Sequence, residues 1–482
     1  MIEHSAKKQS KYLWTVSRIL KTTGGRLLSG NEGRRFSGVS IDSRKVSPGQ
    51  LFIAIIGENF DGHRFAADAV GKGASGVLVE RRHVRRLPLK RFQNQGVVCV
   101  SVSDTVKALG DIAADHRRRW GGKLVAVTGS NGKTTARKMT AEVIRQGYAT
   151  LSTLGNYNNE IGVPLTLLNL CPEHRWAAVE LGMNHPGEIR RLARICRPDV
   201  GVITNVAPAH LEGVGSVEGV VMAKAELLEH IQEHGTVVLN ADDPNVLKIA
   251  DRTAVDVLLY GTAKSAAVRG TAIRETRRKV RFLLHVSGAR VPVMLNTPGR
   301  FMVSNALAAA AVGHLSGISP DRIRAGLEAF VPEKGRMIVV NLKRAVRLID
   351  DTYNANPGSM KAAIDTLMRL KKKQGRAICV LGDMLELGDH SESLHHLIGA
   401  YVKNAGVFRV CVTGRFAGSV AAGAIEAGMD NESVLTGTKE SILENLYALL
   451  RSGDWVLVKG SRGMAMETVV QALKAWAEKN GK

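Results

Sequence analysis

Short apolar runs recur along the chain, each closing on glycine or a cluster of polar residues and each followed by a stretch of helical composition. That alternation predicts an α/β protein, and breaks in it predict three domains at 1–117, 118–332 and 333–482. In the first, the runs at 51–54, 76–79 and 97–100 read as strands of a small α/β domain. Arg117-Arg118-Arg119-Trp120-Gly121-Gly122 reads as the link into the second. There the runs at 123–128, 176–182, 200–205 and 237–240 predict a mostly parallel sheet, and the alternating pattern between 252 and 296 predicts antiparallel additions. The alanine-rich segment 306–312 predicts a helix with Asn305 near its start, as a cap or as a nucleotide contact. In the third domain, strands at 377–382, 409–414 and 455–460 alternate with helix-like segments in a doubly wound pattern.

One strand carries an unusual continuation. The run 123–127 leads into Thr128-Gly129-Ser130-Asn131-Gly132-Lys133-Thr134-Thr135, and a helical segment follows at 136–146. Strand, glycine-rich turn, lysine, hydroxyl and helix in that order predict a P-loop-type phosphate cradle. Gly129 and Gly132 let the backbone approach a polyphosphate, and backbone amides and the helix start face it. Lys133 can reach the terminal phosphates and Thr134 can hold magnesium. The loop is short: only Ser130 and Asn131 separate the two glycines, where four residues are usual. The shortening marks either a subclass or a strand-to-helix turn of no special function.

Polar residues also gather at other strand ends. Glu180 closes the 176–180 run, where open α/β sheets bind ligands, and reads as a magnesium ligand or as a plain strand end. His210, just beyond the next strand, is either a ligand or structural. Lys224 reads as the solvated side of an amphipathic helix. The stretch 155–164, with Asn156, Asn158 and Asn159, suits a loop or the binding of a polar ligand. Ser40-Ile41-Asp42-Ser43-Arg44 suits a surface turn or a binding contact. Asp350, Asp351, Asn354, Asp383 and Lys459-Gly460-Ser461-Arg462 describe an active-site rim along one sheet edge.

Charge changes this picture little. The net charge is +23, and residues 1–120 hold 22 Lys and Arg against 10 Asp and Glu. Arg81, Arg82, Arg85, Arg86, Lys90 and Arg91 fall in one connector-like stretch without aromatic residues for base stacking, so a solvated basic face with weak anionic-surface association is expected rather than nucleic-acid binding. The five cysteines are scattered without metal spacing and read as buried free thiols of a reducing compartment. No apolar run reaches the ~18 residues of a membrane span, and the polar start lacks a signal-peptide core, so a cytoplasmic protein is expected.

Together these residues resemble the Mur ligase family of ATP-dependent amide-bond-forming enzymes. The shortened loop 128–135 looks like that family's ATP motif. The likeness extends through Asp42-Ser43-Arg44 with Asp61-Gly62-His63, then 155–164, 180–185, 209–212, 350–356 with Gly358-Ser359-Met360, 382–388 and 459–462. It implies a first domain for the uridine-nucleotide end of the substrate, a second for ATP and a Rossmann-like third for the incoming dipeptide and part of the nucleotide. The implied substrates are a UDP-N-acetylmuramoyl-tripeptide and D-alanyl-D-alanine, joined through an acyl phosphate in peptidoglycan precursor synthesis by a monomeric enzyme.

It further implies magnesium held by Thr134, Glu180 and His210, a second magnesium held by a carbamylated Lys224, and nucleotide contacts from Asn305, Arg336 and Asp351. Ser40, Asp42, Ser43, Arg44, Asn156, Asn158, Asn159, Asn354, Asp383, Lys459, Ser461 and Arg462 would then face the substrates. Asp-Asn-Pro-Arg, which marks the relatives that add a diamino acid, is absent. A folylpolyglutamate synthase is the nearest rival, and the Asn-rich stretch with Asp42-Ser43-Arg44 speaks against it. The arm before residue 12 and the basic stretch 81–91 have no place in the family pattern.

Overall fold

The computed structural model describes residues 14–251, 253–371 and 375–479, so the amino-terminal arm lies outside the described residues. It is an α/β protein of two compact units: Met1–Ala126, Tyr148–Gly182 and Arg190–Asp199 form one, and Val127–Gly147, Met183–Ile189 and Val200–Lys482 the other.

The first unit contains a five-stranded sheet in which Val39–Ser40, Leu51–Ile53, Gly76–Glu80 and Val98–Val102 run parallel and Arg26–Ser29 pairs antiparallel with the last. Its core gathers Phe52, Val77, Val79, Phe92 and Cys99. The basic stretch expected to be a connector is helical: a 3-10 turn, Arg81–Arg86, and the helix Leu89–Asn94 anchored by buried Phe92. The expected link at 117–122 is also corrected. Thr105–Trp120 is one helix, capped by the Asp104 side chain and ended by Gly121 at φ 71°. Arg117 belongs to its last turn and is buried, donating to the carbonyl of Cys196 and to the Asp199 carboxylate at 2.9 and 3.1 Å. Cations suit a helix C-terminus, so an arginine cluster that reads as a linker completes a helix. The parallel strands Thr150–Ser152 and Trp176–Glu180 lie in this unit too.

The strand Lys123–Thr128 carries the chain into the second unit. There Val200–Ile203, Thr236–Asn240, Asp256–Gly261 and Val268–Glu275 run parallel in that order, and Val280–Val286 and Ala289–Leu295 extend the row antiparallel. The helix Phe301–Leu315 starts earlier than its alanines suggest, because Gly299, at φ 103°, turns the chain just ahead of it. Asn305 therefore sits inside the helix and is buried, which removes the cap reading.

A second, six-stranded sheet follows the order Ile338–Asn341, Arg347–Asp351, Trp455–Lys459, Ala377–Leu381, Arg409–Val412 and Val434–Thr436. All its pairs but the first are parallel. The last strand in the chain slots between the second and third, which sets Asp351, Lys459 and Leu381 side by side at the carboxyl edge. Polar loops leaving those three ends are thereby forced together, as doubly wound sheets do at their ligand crevice.

Candidate active site

The helix Lys133–Arg145 starts directly from the loop, with Gly132 at φ 80° and Gly129 at φ 142°. A collar of hydrogen bonds fixes the loop. Ser130 N–H donates to the Asn205 carbonyl at 2.9 Å and Asn131 N–H to the Asn205 side chain at 2.8 Å. The Asn131 carbonyl accepts from Thr204 Oγ1 at 2.6 Å and from Asn205 Nδ2 at 3.1 Å. Asn131 also accepts, at 2.8 Å, from Asn356 Nδ2 in the loop beyond Asp351. Lys133 lies back over the loop, its Nζ donating to the carbonyls of Gly129 at 2.8 Å and Ser130 at 3.4 Å. Arg336 stacks on Tyr353 at 4.0 Å and donates to Thr134 Oγ1 at 2.9 Å.

Both glycines are required by contact as well as by conformation. A Cβ on Gly129 would meet Thr204 Oγ1 at 2.0 Å, and one on Gly132 would meet Asn305 Oδ1 at 2.2 Å. Gly129→Ala should weaken ADP binding about tenfold or more in calorimetry, since a side chain at that φ strains the backbone and displaces Thr204 from the collar. An unchanged affinity would mean that the loop does not hold the phosphates.

His210 follows the 200–203 strand in the left-handed region, at φ 56°. Its Nδ1 lies 2.6 Å from Oε2 of Glu386, a close charge contact that is not aligned as an N–H···O hydrogen bond. Burial, with Lys133 and Lys224 nearby, pushes the imidazole below its ordinary range despite that carboxylate. Glu386 is held below the usual carboxylate range by His210. The left-handed residues His210, Met337, Glu386 and Ala465 all lie in loops of this region, the kind of strain that collects at functional sites.

Lys224 corrects the residue-level expectation of a solvated lysine: it is fully buried. The helix Val217–Ala225 has no polar face there, since Val220, Val221 and Ala223 are buried as well. Its Nζ has no hydrogen-bond partner, and burial followed by the Lys133 charge drives its pKa well below the usual value. Glu226 and Glu188 pull the other way, yet each has an oxygen engaged by a backbone N–H, of Gly187 at 2.6 Å and of Asn184 at 2.7 Å.

Along the rim, Lys459 is buried and donates to Asp351 Oδ2 at 2.6 Å and to the Asn354 carbonyl at 2.9 Å. Asp351 also accepts from Met337 N–H at 3.0 Å. Asp383 is buried and accepts from the N–H groups of Arg415 and Phe416 at 2.7 and 3.1 Å, and Ser461 Oγ accepts from Leu385 N–H at 2.9 Å. Asn354 and Arg462 remain exposed.

In the first unit, Glu180 is buried, with Oε1 accepting from Asn158 Nδ2 at 2.9 Å and Oε2 without a partner. Asn159 Oδ1 accepts from the N–H groups of Ile161 and Gly162 at 3.2 and 2.9 Å, while Asn156 is exposed. Asp42 takes both guanidinium contacts of exposed Arg44 at 2.9 Å, which lowers its pKa to about 2, and Ser40 Oγ donates to the Asp42 carbonyl at 3.0 Å.

Three domain profiles match the chain in order: the Mur ligase family catalytic domain over 35–117, the Mur ligase middle domain over 127–313 and the Mur ligase glutamate ligase domain over 335–462. The UDP-N-acetylmuramoyl-tripeptide–D-alanyl-D-alanine ligase of Escherichia coli (strain K12) is 40% identical over 442 residues, covering 90% of this chain and 93% of that one. The chain belongs to the Mur ligase family. Among solved Mur ligases, MurF from Acinetobacter baumannii superposes with a TM-score of 0.88 at 32% identity, over 97% of this chain and 100% of that one. MurF ligase from Thermotoga maritima, solved in complex with ADP, gives a TM-score of 0.81 at 27% identity over 92% of this chain and 98% of that one.

For this Mur ligase, reading the sequence singles out neither Glu386, which lies inside the resembling segment 382–388, nor Asn205 and Asn356, which tie down the loop. Asn205 carried a signal of the same kind as Glu180, since it ends a predicted parallel strand.

Proposed function

We propose that this chain joins D-alanyl-D-alanine to the terminal carboxylate of a UDP-N-acetylmuramoyl-tripeptide, converting ATP to ADP and phosphate, as a cytoplasmic step of peptidoglycan precursor synthesis. The observation that carries this reading is the shortened phosphate loop with Lys133 folded over it, in a chain alike over nearly its whole length to ligases of that name. Residues 1–117 would hold the uridine-nucleotide end, 118–332 ATP, and 333–482 the dipeptide. Ser40, Asp42, Ser43 and Arg44 are assigned to the first of these ligands, and Asn156, Asn158 and Asn159 to the muramyl peptide. Asn354 and Arg462 would face the dipeptide, on loops held by Asp383, Lys459 and Ser461.

A carboxylate and a polyphosphate repel one another, so the site must supply cations before an oxygen of the carboxylate can reach the γ-phosphorus. Lys133 supplies one, released from the Gly129 and Ser130 carbonyls to the phosphates. Arg336, which donates to Thr134 Oγ1, supplies another beside the same hydroxyl. The carboxylate oxygen bonds to phosphorus as ADP leaves. The dipeptide amine then attacks the acyl phosphate carbonyl, and phosphate and a proton depart.

The donor chemistry fits magnesium in each unit taken by itself: a hydroxyl at Thr134 and an imidazole at His210 in the second, and in the first a carboxylate at Glu180 with an orphaned oxygen. Bound there, magnesium would neutralise phosphate charge and hold the γ-phosphoryl in line. The buried, unpartnered Lys224 amine fits carbamylation, because a neutral amine adds carbon dioxide and becomes an anionic oxygen ligand. Asn305, beside Gly132, and Asp351 would contact the nucleotide.

ATP turnover should require both the UDP-muramoyl tripeptide and D-alanyl-D-alanine and should release ADP and phosphate in a coupled assay. Release of AMP and pyrophosphate, or turnover indifferent to the dipeptide, would overturn the assignment.

A further inference from the structure

We propose that Glu386 is a positioning residue for His210: it orients the imidazole through Nδ1, so that Nε2 is the nitrogen presented to the metal and nucleotide. The proposal rests on the reading of His210 as a magnesium ligand. Two turns far apart in sequence grip each other here by side chain and by main chain. Nδ1 of His210 lies 2.6 Å from Glu386 Oε2, and Glu212 N–H donates to the Glu386 carbonyl at 3.2 Å. A Cβ on Gly388 would come within 3.1 Å of Glu212 Cα, so the turns are as close as their backbones allow.

Both partners hold left-handed conformations, φ 56° at His210 and φ 64° at Glu386, that non-glycine residues avoid. Such conformations persist only where the surroundings over-determine them, and each turn supplies that constraint to the other. The amines of Lys133 and Lys224 oppose a charge on the ring, and Glu386 is the carboxylate that favours it. A ligating histidine ordinarily donates its other N–H to a carboxylate, carbonyl or water, and losing that partner costs metal affinity about 10- to 100-fold. Here the carboxylate, 2.6 Å from Nδ1 but off the line of a hydrogen bond, favours the proton on that nitrogen by its charge. Glu386 rides on the loop after the Ala377–Leu381 strand, in the segment matched as the glutamate ligase domain, whereas His210 belongs to the middle domain. The consequence is that the carboxy-terminal sheet sets the readiness of a ligand carried by the nucleotide-binding part.

The Glu386 side chain is about half exposed, 49%, so replacing it does not open the core. The test uses the full chain with Glu386→Ala, Glu386→Gln and His210→Ala. Nitrogen-15 spectra of labelled histidine, taken without metal, should show the His210 ring of the wild type protonated at Nδ1 and that of Glu386→Ala as a mixture of tautomers, with Glu386→Gln in between. ADP calorimetry with and without magnesium should show the magnesium-dependent gain in affinity falling about tenfold or more in Glu386→Ala, with magnesium-free ADP binding unchanged within about twofold. An unchanged tautomer together with an unchanged magnesium gain in Glu386→Ala would overturn the role of Glu386. A magnesium gain that survives intact in His210→Ala would instead overturn the reading of His210 as a ligand, and the proposal with it.

Discussion

Lys133→Ala is expected to abolish detectable acyl-phosphate formation, lowering kcat about 10³-fold or more, while the uridine-nucleotide substrate still binds. The expectation starts from where the ammonium sits: on the Gly129 and Ser130 carbonyls, at the first turn of the helix Lys133–Arg145, over the loop that a polyphosphate would enter. Removing one pre-organised donor from a developing charge typically costs 10²- to 10³-fold, and single cations in phosphoryl transfer supply as much as 10³- to 10⁵-fold. The fold itself should survive, because Asn205, Thr204 and Asn356 still hold the loop when the Lys133 contacts are lost. Trapping the acyl phosphate by borohydride reduction reads the chemistry, and calorimetry with the UDP-muramoyl tripeptide reads the binding. Loss of both would contradict the assignment of the two ligands to different domains. The substitution also reaches Lys224, since the Lys133 charge is one of the two causes that depress its proton affinity.

Much of this architecture is legible in the sequence, because strands and helices leave local periods. The loop with its helix and the parallel strands stand where the apolar pattern puts them, but of the stretch 252–296, expected to be antiparallel, only Val280–Val286 and Ala289–Leu295 are; Asp256–Gly261 and Val268–Glu275 continue the parallel row. Glu180 is legible for the same reason, as the last residue of an apolar strand. Errors begin where composition stands in for packing. The arginines at 117–119 look like a linker, yet Arg117 is drawn inside by the Cys196 carbonyl and Asp199. Asn305 looks like a cap because the alanines after it are conspicuous, while the turn that starts the helix is made by Gly299. The pairing of His210 with Glu386 has no local signature, since no spacing rule links residues brought together by two different sheets. Lys224 is the extreme case. A lysine near glutamates on a short helix reads as solvated, and only tertiary burial reveals an amine with no counter-charge in contact.

That burial makes a second large effect testable. Lys224→Met should lose nearly all ligase activity and yet melt at a higher temperature than the wild type near neutral pH. A lysine pushed well below its usual 10.5 by burial is neutral in the folded chain at pH values where the unfolded chain still carries the proton. Across that window the unfolded state binds more protons, so native stability rises with pH and approaches its full value only as the ordinary lysine range is reached. Each unit of depressed affinity costs about 1.4 kcal/mol at neutral pH, and relief of that cost should appear as an increase of roughly a few degrees in Tm. Methionine has a similar length and no charge, so the variant should lose the pH slope as well. Carbon dioxide offers the wild type another route out of the penalty: the neutral amine becomes a carbamate, an anion that the Lys133 charge favours. With [¹³C]bicarbonate, the wild type should show a carbamate carbon resonance that Lys224→Met lacks. Melting curves from pH 6 to 9 in carbon-dioxide-free buffer supply the second arm. If the wild-type midpoint tracks that of Lys224→Met across this range, or if no carbamate resonance forms, the buried amine is not the reactive group its surroundings make it.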